Sequence, residues 1–186
     1  RSLKTTYPDW EEARTAPVDD VANAIRSGGL AQIKAPRIQR ILDVLLQEHG
    51  ALSVDWIVSL PLMQARKELT ALPGVGPKTA SCVLLFSLGL PAMPVDTHVH
   101  RLSLRLGIIP PRTSADAAHA LLESLVGDNR DDVYAFHLNA IAHGRAVCIA
   151  RNPRCDVCPL QECCDYFKAN RQPERNRAMA EVPSRP

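Results

Sequence analysis

Apolar residues recur every three to four positions along most of this chain, the period of an amphipathic helix. "VDDVANAIRSGG" carries the pattern and then stops at Gly28-Gly29. "PRIQRILDVLLQEHG" repeats it and ends at Gly50, where glycine can take the left-handed C-terminal position. "PLMQARKELTAL" and "PKTASCVLLFSLG" each begin on a proline, a residue suited to the first helical turn. "DTHVHRLSLRLG", "SADAAHALLESLV" with Ser114 as N-cap, and "DDVYAFHLNAIAHG" complete the set. No stretch alternates with period two between turn signals, so the predicted class is all-α with short loops. From Ala169 onward, "ANRQPERNRAMAEVPSRP" lacks an apolar period and reads as a loose basic tail. No repeat of solenoid length is visible.

Composition sharpens this picture. The 186 residues are 46% hydrophobic but only 4% aromatic, so the core is expected to be aliphatic. A charged fraction of 23% is that of a globular chain. A net charge of +2 excludes a blanket polycation and leaves room for a local basic face. No apolar run reaches bilayer length, and "RSLKTTYPDW" has no signal-peptide core. A soluble intracellular protein without membrane contact is expected, in a compartment where clustered cysteines serve as metal ligands or redox groups more often than as disulfides.

Three stretches carry candidate chemistry. In "LPGVGPKTA", Gly74 and Gly76 flank Val75, which permits positive φ and close backbone approach, and the helix beginning near Pro77 offers free N–H groups to a phosphate. A tight helix–helix turn would use the same glycines. No G-K-[ST] stands at P-loop spacing, so nucleotide hydrolysis is not expected. Lys78 lies in the first turn of that helix. The helix dipole, together with partial burial, would lower its pKa and make it a nucleophile toward a sugar or carbonyl carbon. An exposed lysine touching a phosphate fits those residues as well. Asp96 opens the next helix in "PVDTHVHRL", either as an ordinary N-cap or as an ionised carboxylate that takes a proton or stabilises a cationic sugar.

The third stretch is "CIARNPRCDVCPLQECCDY". Cys148, Cys155, Cys158 and Cys164 fit C-x6-C-x2-C-x5-C, and Cys163 is left over. Four thiolates suit zinc or an iron–sulfur cluster, and one C-x2-C with two singletons leans toward the cluster. Arg145, Arg151 and Arg154 would offset thiolate charge or face phosphates. Cys82, inside "SCVLLF", reads as a core residue.

Taken together, "LPGVGPKTA", "VDTHVHRL" and "HGRAVCIARNPRCDVC" resemble the endonuclease III family of DNA glycosylases, over roughly Gly29 to Tyr166. The resemblance implies a helix-hairpin-helix barrel over residues 1–90 and a second helical domain over 91–168 holding a [4Fe–4S] cluster on the four cysteines. Residues 169–186 would form a flexible tail. It implies that Lys78 comes from the barrel and Asp96 from the other domain, meeting across a groove. The implied partner is double-stranded DNA with a damaged pyrimidine or an abasic site, bound by a monomer in a bacterial cytoplasm or nucleoid.

The implied reaction is removal of an oxidised pyrimidine such as thymine glycol by Lys78, assisted by Asp96, through a Schiff base and β-elimination. Leu30 in "GGLAQIKA" would wedge into the space left by the flipped base, and Lys34 would touch phosphate. Gly74, Val75, Gly76, Thr79, Arg151 and Arg154 would meet the DNA backbone. A mismatch thymine or uracil glycosylase and a non-catalytic cluster-bearing DNA-binding module are the competing expectations. The family also has a helical segment ahead of its "YPDW"-like region, and this sequence shows nothing that corresponds to it. Thr70 stands where several relatives carry Glu.

Overall fold

The computed structural model describes residues 2–170. The described residues contain helices and no strand, as the apolar period predicts. The helices are α1 (Ser2–Thr6), α2 (Trp10–Thr15), α3 (Val18–Ala24), α4 (Ala31–His49), α5 (Leu62–Ala71), α6 (Pro77–Cys82), α7 (Thr97–Leu106), α8 (Ala115–Val126) and α9 (Arg130–Ala146). Of the loose basic tail expected over 169–186, residues 169 and 170 are helical instead, and those from 171 on lie outside the described residues.

Two elements differ instructively from the sequence pattern. α4 begins at Ala31 rather than Pro36, because the Ile33 and Lys34 amides already bond Leu30 O at 3.1 and 2.9 Å. Pro36 then sits in the second turn, at the expense of one helical bond. The helix expected over 77–89 is α-helical only to Cys82. Val83–Ser87 is a π-helical segment, closed by the Leu88 amide on Val83 O at 3.1 Å. Such segments are rare and gather at functional sites.

The chain divides into two compact units, residues 1–76 and 77–186. In the first, α3 and α2 pack on α4. A small core forms from Val21, Ala22 and Ala35, with Leu3, Tyr7 and Ile25 against it. Gln39 on α4 donates to Ala13 O and Ala16 O at 3.1 and 2.7 Å, which caps the end of α2.

In the second unit Leu85, Met93, Val95, Val99, Leu102, Leu122 and Val133 build the larger, aliphatic core. α7 lies close on α9 because Gly144 has no side chain there. A Cβ at that position would stand 2.9 Å from His98 Cβ. The division falls fourteen residues before the expected 90/91 boundary, between Gly76 and Pro77. The cause is burial: Ala80, Ser81, Leu84 and Leu85 are inaccessible, and α6 packs on α8. Lys78 and Asp96 therefore belong to one unit rather than two.

Candidate active site and cysteine loop

Asp96 caps α7. Its Oδ1 accepts from the His98 and Val99 amides at 2.9 and 2.8 Å. Both bonds use one oxygen, and among the described residues Oδ2 takes no hydrogen bond. The N-cap reading and the chemical one are thus compatible. Lys78 is the second residue of α6 and is exposed, so the partial burial expected of it is not found.

Lys78 and Asp96 act on the same two neighbours. Burial pushes the Cys82 thiol above its ordinary value, while Lys78 lowers it and Asp96 raises it. Burial lowers the His137 imidazole, the bond to Pro94 and the Asp96 charge raise it, and Lys78 lowers it again. The charges of Lys78 and Asp96 are thus both felt at one half-buried thiol and one buried imidazole. No ion pair links Lys78 to Asp96 among the described residues. The core reading of Cys82 changes accordingly: it is half-buried rather than enclosed, and the charges of Lys78 and Asp96 are felt at its thiol.

The segment leading into Asp96 is buried and belongs to no helix or strand. Ala92, Met93 and Val95 are at most 3% exposed. Buried backbone groups need partners, and here side chains supply them. Glu123 Oε1 accepts from the Met93 amide at 2.7 Å, His119 Nδ1 contacts Met93 O at 2.7 Å, and His137 Nδ1 contacts Pro94 O at 2.9 Å.

Leu30 is 70% exposed and sits at φ 54°, ψ 32°. The core-leucine alternative is excluded by that exposure. A large apolar residue in the left-handed region, presented to solvent, is a strained arrangement of the kind that marks functional loops. Lys34 is not simply solvated, since its Nζ donates to Gly28 O at 3.0 Å and braces the loop below Leu30.

Of the hairpin glycines, Gly74 takes φ 76° and Gly76 does not adopt a positive φ. Gly76 precedes Pro77, which restricts it to extended backbone. Gly74 also has Arg37 against it, with Arg37 Cδ 3.1 Å from the place a Cβ would occupy. Val75 is half-buried, and Gly76 and Thr79 are exposed. Thr70 turns its hydroxyl onto its own helix, donating to Arg66 O at 2.9 Å.

Cys148, Cys155, Cys158 and Cys164 line one cavity with His143, Arg105, Gln161 and Tyr166. Cys163 is exposed and turns to Leu160 O at 3.4 Å. Burial raises the Cys155 thiol, and the thiols of Cys158, Cys164 and Cys148 raise it further. Arg105 is the guanidinium that reaches the sulfur, donating from Nη1 to Cys148 Sγ at 3.3 Å and to Ile149 O at 2.7 Å. Arg101, one turn earlier, donates to Cys148 O at 2.9 Å and to Gly144 O at 2.7 Å. Arg145, Arg151 and Arg154 are expected either to offset thiolate charge or to face phosphates. They are exposed, and none bonds a thiol among the described residues. The i, i+4 spacing of Arg101 and Arg105 in "RLSLR" puts both guanidiniums on one helix face, the sequence signal for this pair.

Among the described residues no three His, Cys, Asp or Glu side chains converge to hold a single metal ion, and no helix is long and apolar enough to cross a membrane.

Comparison with known proteins places this geometry in context. Residues 1–127 match the HhH-GPD superfamily of base excision DNA repair proteins. Endonuclease III of Rickettsia conorii is 36% identical over 167 residues, covering 90% of this chain and 74% of that protein. The DNA glycosylase/AP lyase ROS1 of Arabidopsis thaliana is 34% identical over 174 residues, covering 86% of this chain. The chain spans only 12% of ROS1 and 48% of another Arabidopsis relative, a putative DNA glycosylase. A solved trapped endonuclease III–DNA covalent intermediate superposes with a TM-score of 0.73 at 32% identity, covering 91% of this chain and 74% of that one.

Proposed function

The chain belongs to the HhH-GPD superfamily of base excision DNA repair proteins, and from that premise we propose that it is a bifunctional DNA glycosylase and abasic-site lyase acting on duplexes with an oxidised pyrimidine. The observation that carries the reading is that Lys78 opens α6 and Asp96 caps α7 within one compact unit, with contacts of His119 and His137 tying the segment before Asp96 to the element that carries Lys78. The trapped covalent complex of a 32%-identical endonuclease III supports a covalent route.

The chemistry follows from those groups. The target nucleotide leaves the stack, because its C1′ is unreachable inside a duplex. Asp96 takes a proton from the Lys78 ammonium, which frees the Nζ lone pair. Nζ attacks C1′, the bond from C1′ to the base breaks, and the base departs with the electron pair. The sugar ring opens to an iminium on Lys78. Loss of a C2′ proton then forms the C2′–C3′ double bond and expels the 3′ phosphate. Water hydrolyses the iminium and returns the free amine.

Leu30 would fill the vacated space. The hairpin residues Gly74, Val75, Gly76 and Thr79, with Lys34, Arg151 and Arg154, would contact the sugar–phosphate backbone without reading sequence.

Single-turnover incubation with a thymine-glycol duplex is the test. Base release with a nick on the 3′ side is the expected result. Intact DNA despite tight binding would favour a binding module and defeat the proposal. Duplexes carrying mismatched thymine or uracil belong in the same panel, and faster processing of either would reassign the lesion. Leu30→Ala is expected to slow release of a paired lesion by about tenfold, roughly 1.4 kcal/mol, and to leave abasic-site cleavage unchanged. Equal slowing on both substrates would contradict the wedge.

The four thiols fit a [4Fe–4S] cluster. They surround a cavity instead of converging on one point, and the Arg105 guanidinium donates to Cys148 Sγ at its edge. Cys148, Cys155, Cys158 and Cys164 would hold the group, and its role would be to brace the loop that carries Arg151 and Arg154. Purified protein is then expected to be brown with broad visible absorbance. Cys158→Ser is expected to bleach it and to weaken DNA binding. A colourless preparation of full activity would overturn the assignment.

A further inference from the structure

Two buried histidines are left unexplained by the reaction above. His119 on α8 is 3% exposed and His137 on α9 is 4% exposed. Their ring nitrogens contact successive carbonyls, Met93 O at 2.7 Å and Pro94 O at 2.9 Å, in the segment that runs into Asp96. A carbonyl can only accept, so each ring carries its proton on Nδ1 and donates it.

Each histidine also touches the element that carries Lys78. Ser81 Oγ, on α6, lies 3.4 Å from His119 Nδ1. Phe86, in the π-helical segment that continues α6, meets the His137 ring edge-on at a centroid distance of 5.5 Å. The two rings thus bridge the element of the proposed nucleophile and the irregular segment that leads into the proposed base.

Resting on the glycosylase–lyase reading, we propose that His137, supported by His119, is a positioning residue that sets the spacing of Asp96 from Lys78 through the Pro94 and Met93 carbonyls. Pro94 makes the device effective. Its φ is locked by the ring, so the orientation of its carbonyl largely decides where Val95 and Asp96 go. Pro94 has no N–H, and no helix or sheet ladder passes through this segment to hold it. Without the imidazole, Pro94 O is a buried acceptor lacking a donor, and the peptide is free to turn toward water. Displacement of a reacting group by about 1 Å costs on the order of 10²-fold in rate.

The experiment compares wild type, Lys78→Gln, His137→Leu and His137→Asn. Asparagine offers an Nδ2–H close to the place of the histidine Nδ1–H, whereas leucine keeps apolar bulk and offers no donor. Single-turnover cleavage of an abasic-site duplex gives the rate. Binding of a duplex with a tetrahydrofuran abasic analogue gives affinity, and circular dichroism reports folding.

His137→Leu is expected to cleave 10- to 100-fold more slowly, with binding within about twofold of wild type. His137→Asn is expected to recover to within about threefold. A merely structural histidine would not split rate from affinity in this way. Leucine cleaving at the wild-type rate, or a folded asparagine variant no faster than the leucine one, overturns the proposal. If His137→Leu does not fold, the asparagine variant alone decides. A wild type that cleaves no duplex overturns the functional reading itself and is recognised by that control.

Discussion

Lys78→Gln is expected to abolish strand cleavage, by on the order of 10³-fold or more, while leaving the affinity for an abasic-analogue duplex within about twofold. Glutamine keeps most of the length and polarity of lysine but has no basic lone pair, so no iminium can form. Lys78 is exposed at the second position of its helix, and the substitution is expected to change stability by no more than about 0.5 kcal/mol. Loss of rate without loss of binding separates a nucleophile from a phosphate contact. A phosphate contact would instead weaken binding and flatten its salt dependence. Single-turnover kinetics beside a salt titration of binding distinguish the two.

Asp96→Asn is the second large effect. Asparagine caps a helix as well as aspartate does, so the bonds from the His98 and Val99 amides are retained and the fold is expected to persist. The carboxylate that accepts the Lys78 proton is gone. The rate of base release is expected to fall by about 10²- to 10⁴-fold, the range for a positioned proton acceptor. Asp96→Ala is the control, because it removes the cap as well and costs about 1 kcal/mol of stability. If the asparagine variant works within a few-fold of wild type and only the alanine variant fails, Asp96 is a cap and nothing more. Thermal melts beside the rate measurements make that comparison.

Much of this site is legible in the primary sequence, for local reasons. Asp96 two and three residues before the amides it caps, Gly50 and Gly107 at helix ends, and four cysteines within seventeen residues are all short-range signals. What escapes is long-range. Nothing in the spacing says that His119 and His137 donate to carbonyls 26 and 43 residues away. Nor does it say that Arg101 and Arg105 reach the cysteine loop across more than forty residues. The α-to-π change after Cys82 is hidden because a continuous apolar run has no period to reveal it. The helices α1 and α2 are too short to display a repeat. The resemblance implies that Lys78 lies in the barrel, whereas the burial of Ala80, Ser81, Leu84 and Leu85 draws it into the second unit.

The cysteine loop is the most chemically conspicuous stretch of the chain, yet the reacting groups proposed here lie elsewhere. Its four thiols line one cavity, and in the proposed reading all four would hold the cluster, leaving no ligand position for a substrate. Its exposed arginines remain available to a DNA backbone.

The central claim is that Lys78 Nζ forms the covalent bond to C1′. Borohydride reduction during turnover of an abasic-site duplex, followed by proteolysis and mass spectrometry of the DNA-linked peptide, tests it most directly. The account predicts a single adduct, on the peptide containing Pro77–Cys82, with the added mass on Lys78. An adduct on any other lysine or on the N-terminal amine, or efficient cleavage with no adduct at all, contradicts it.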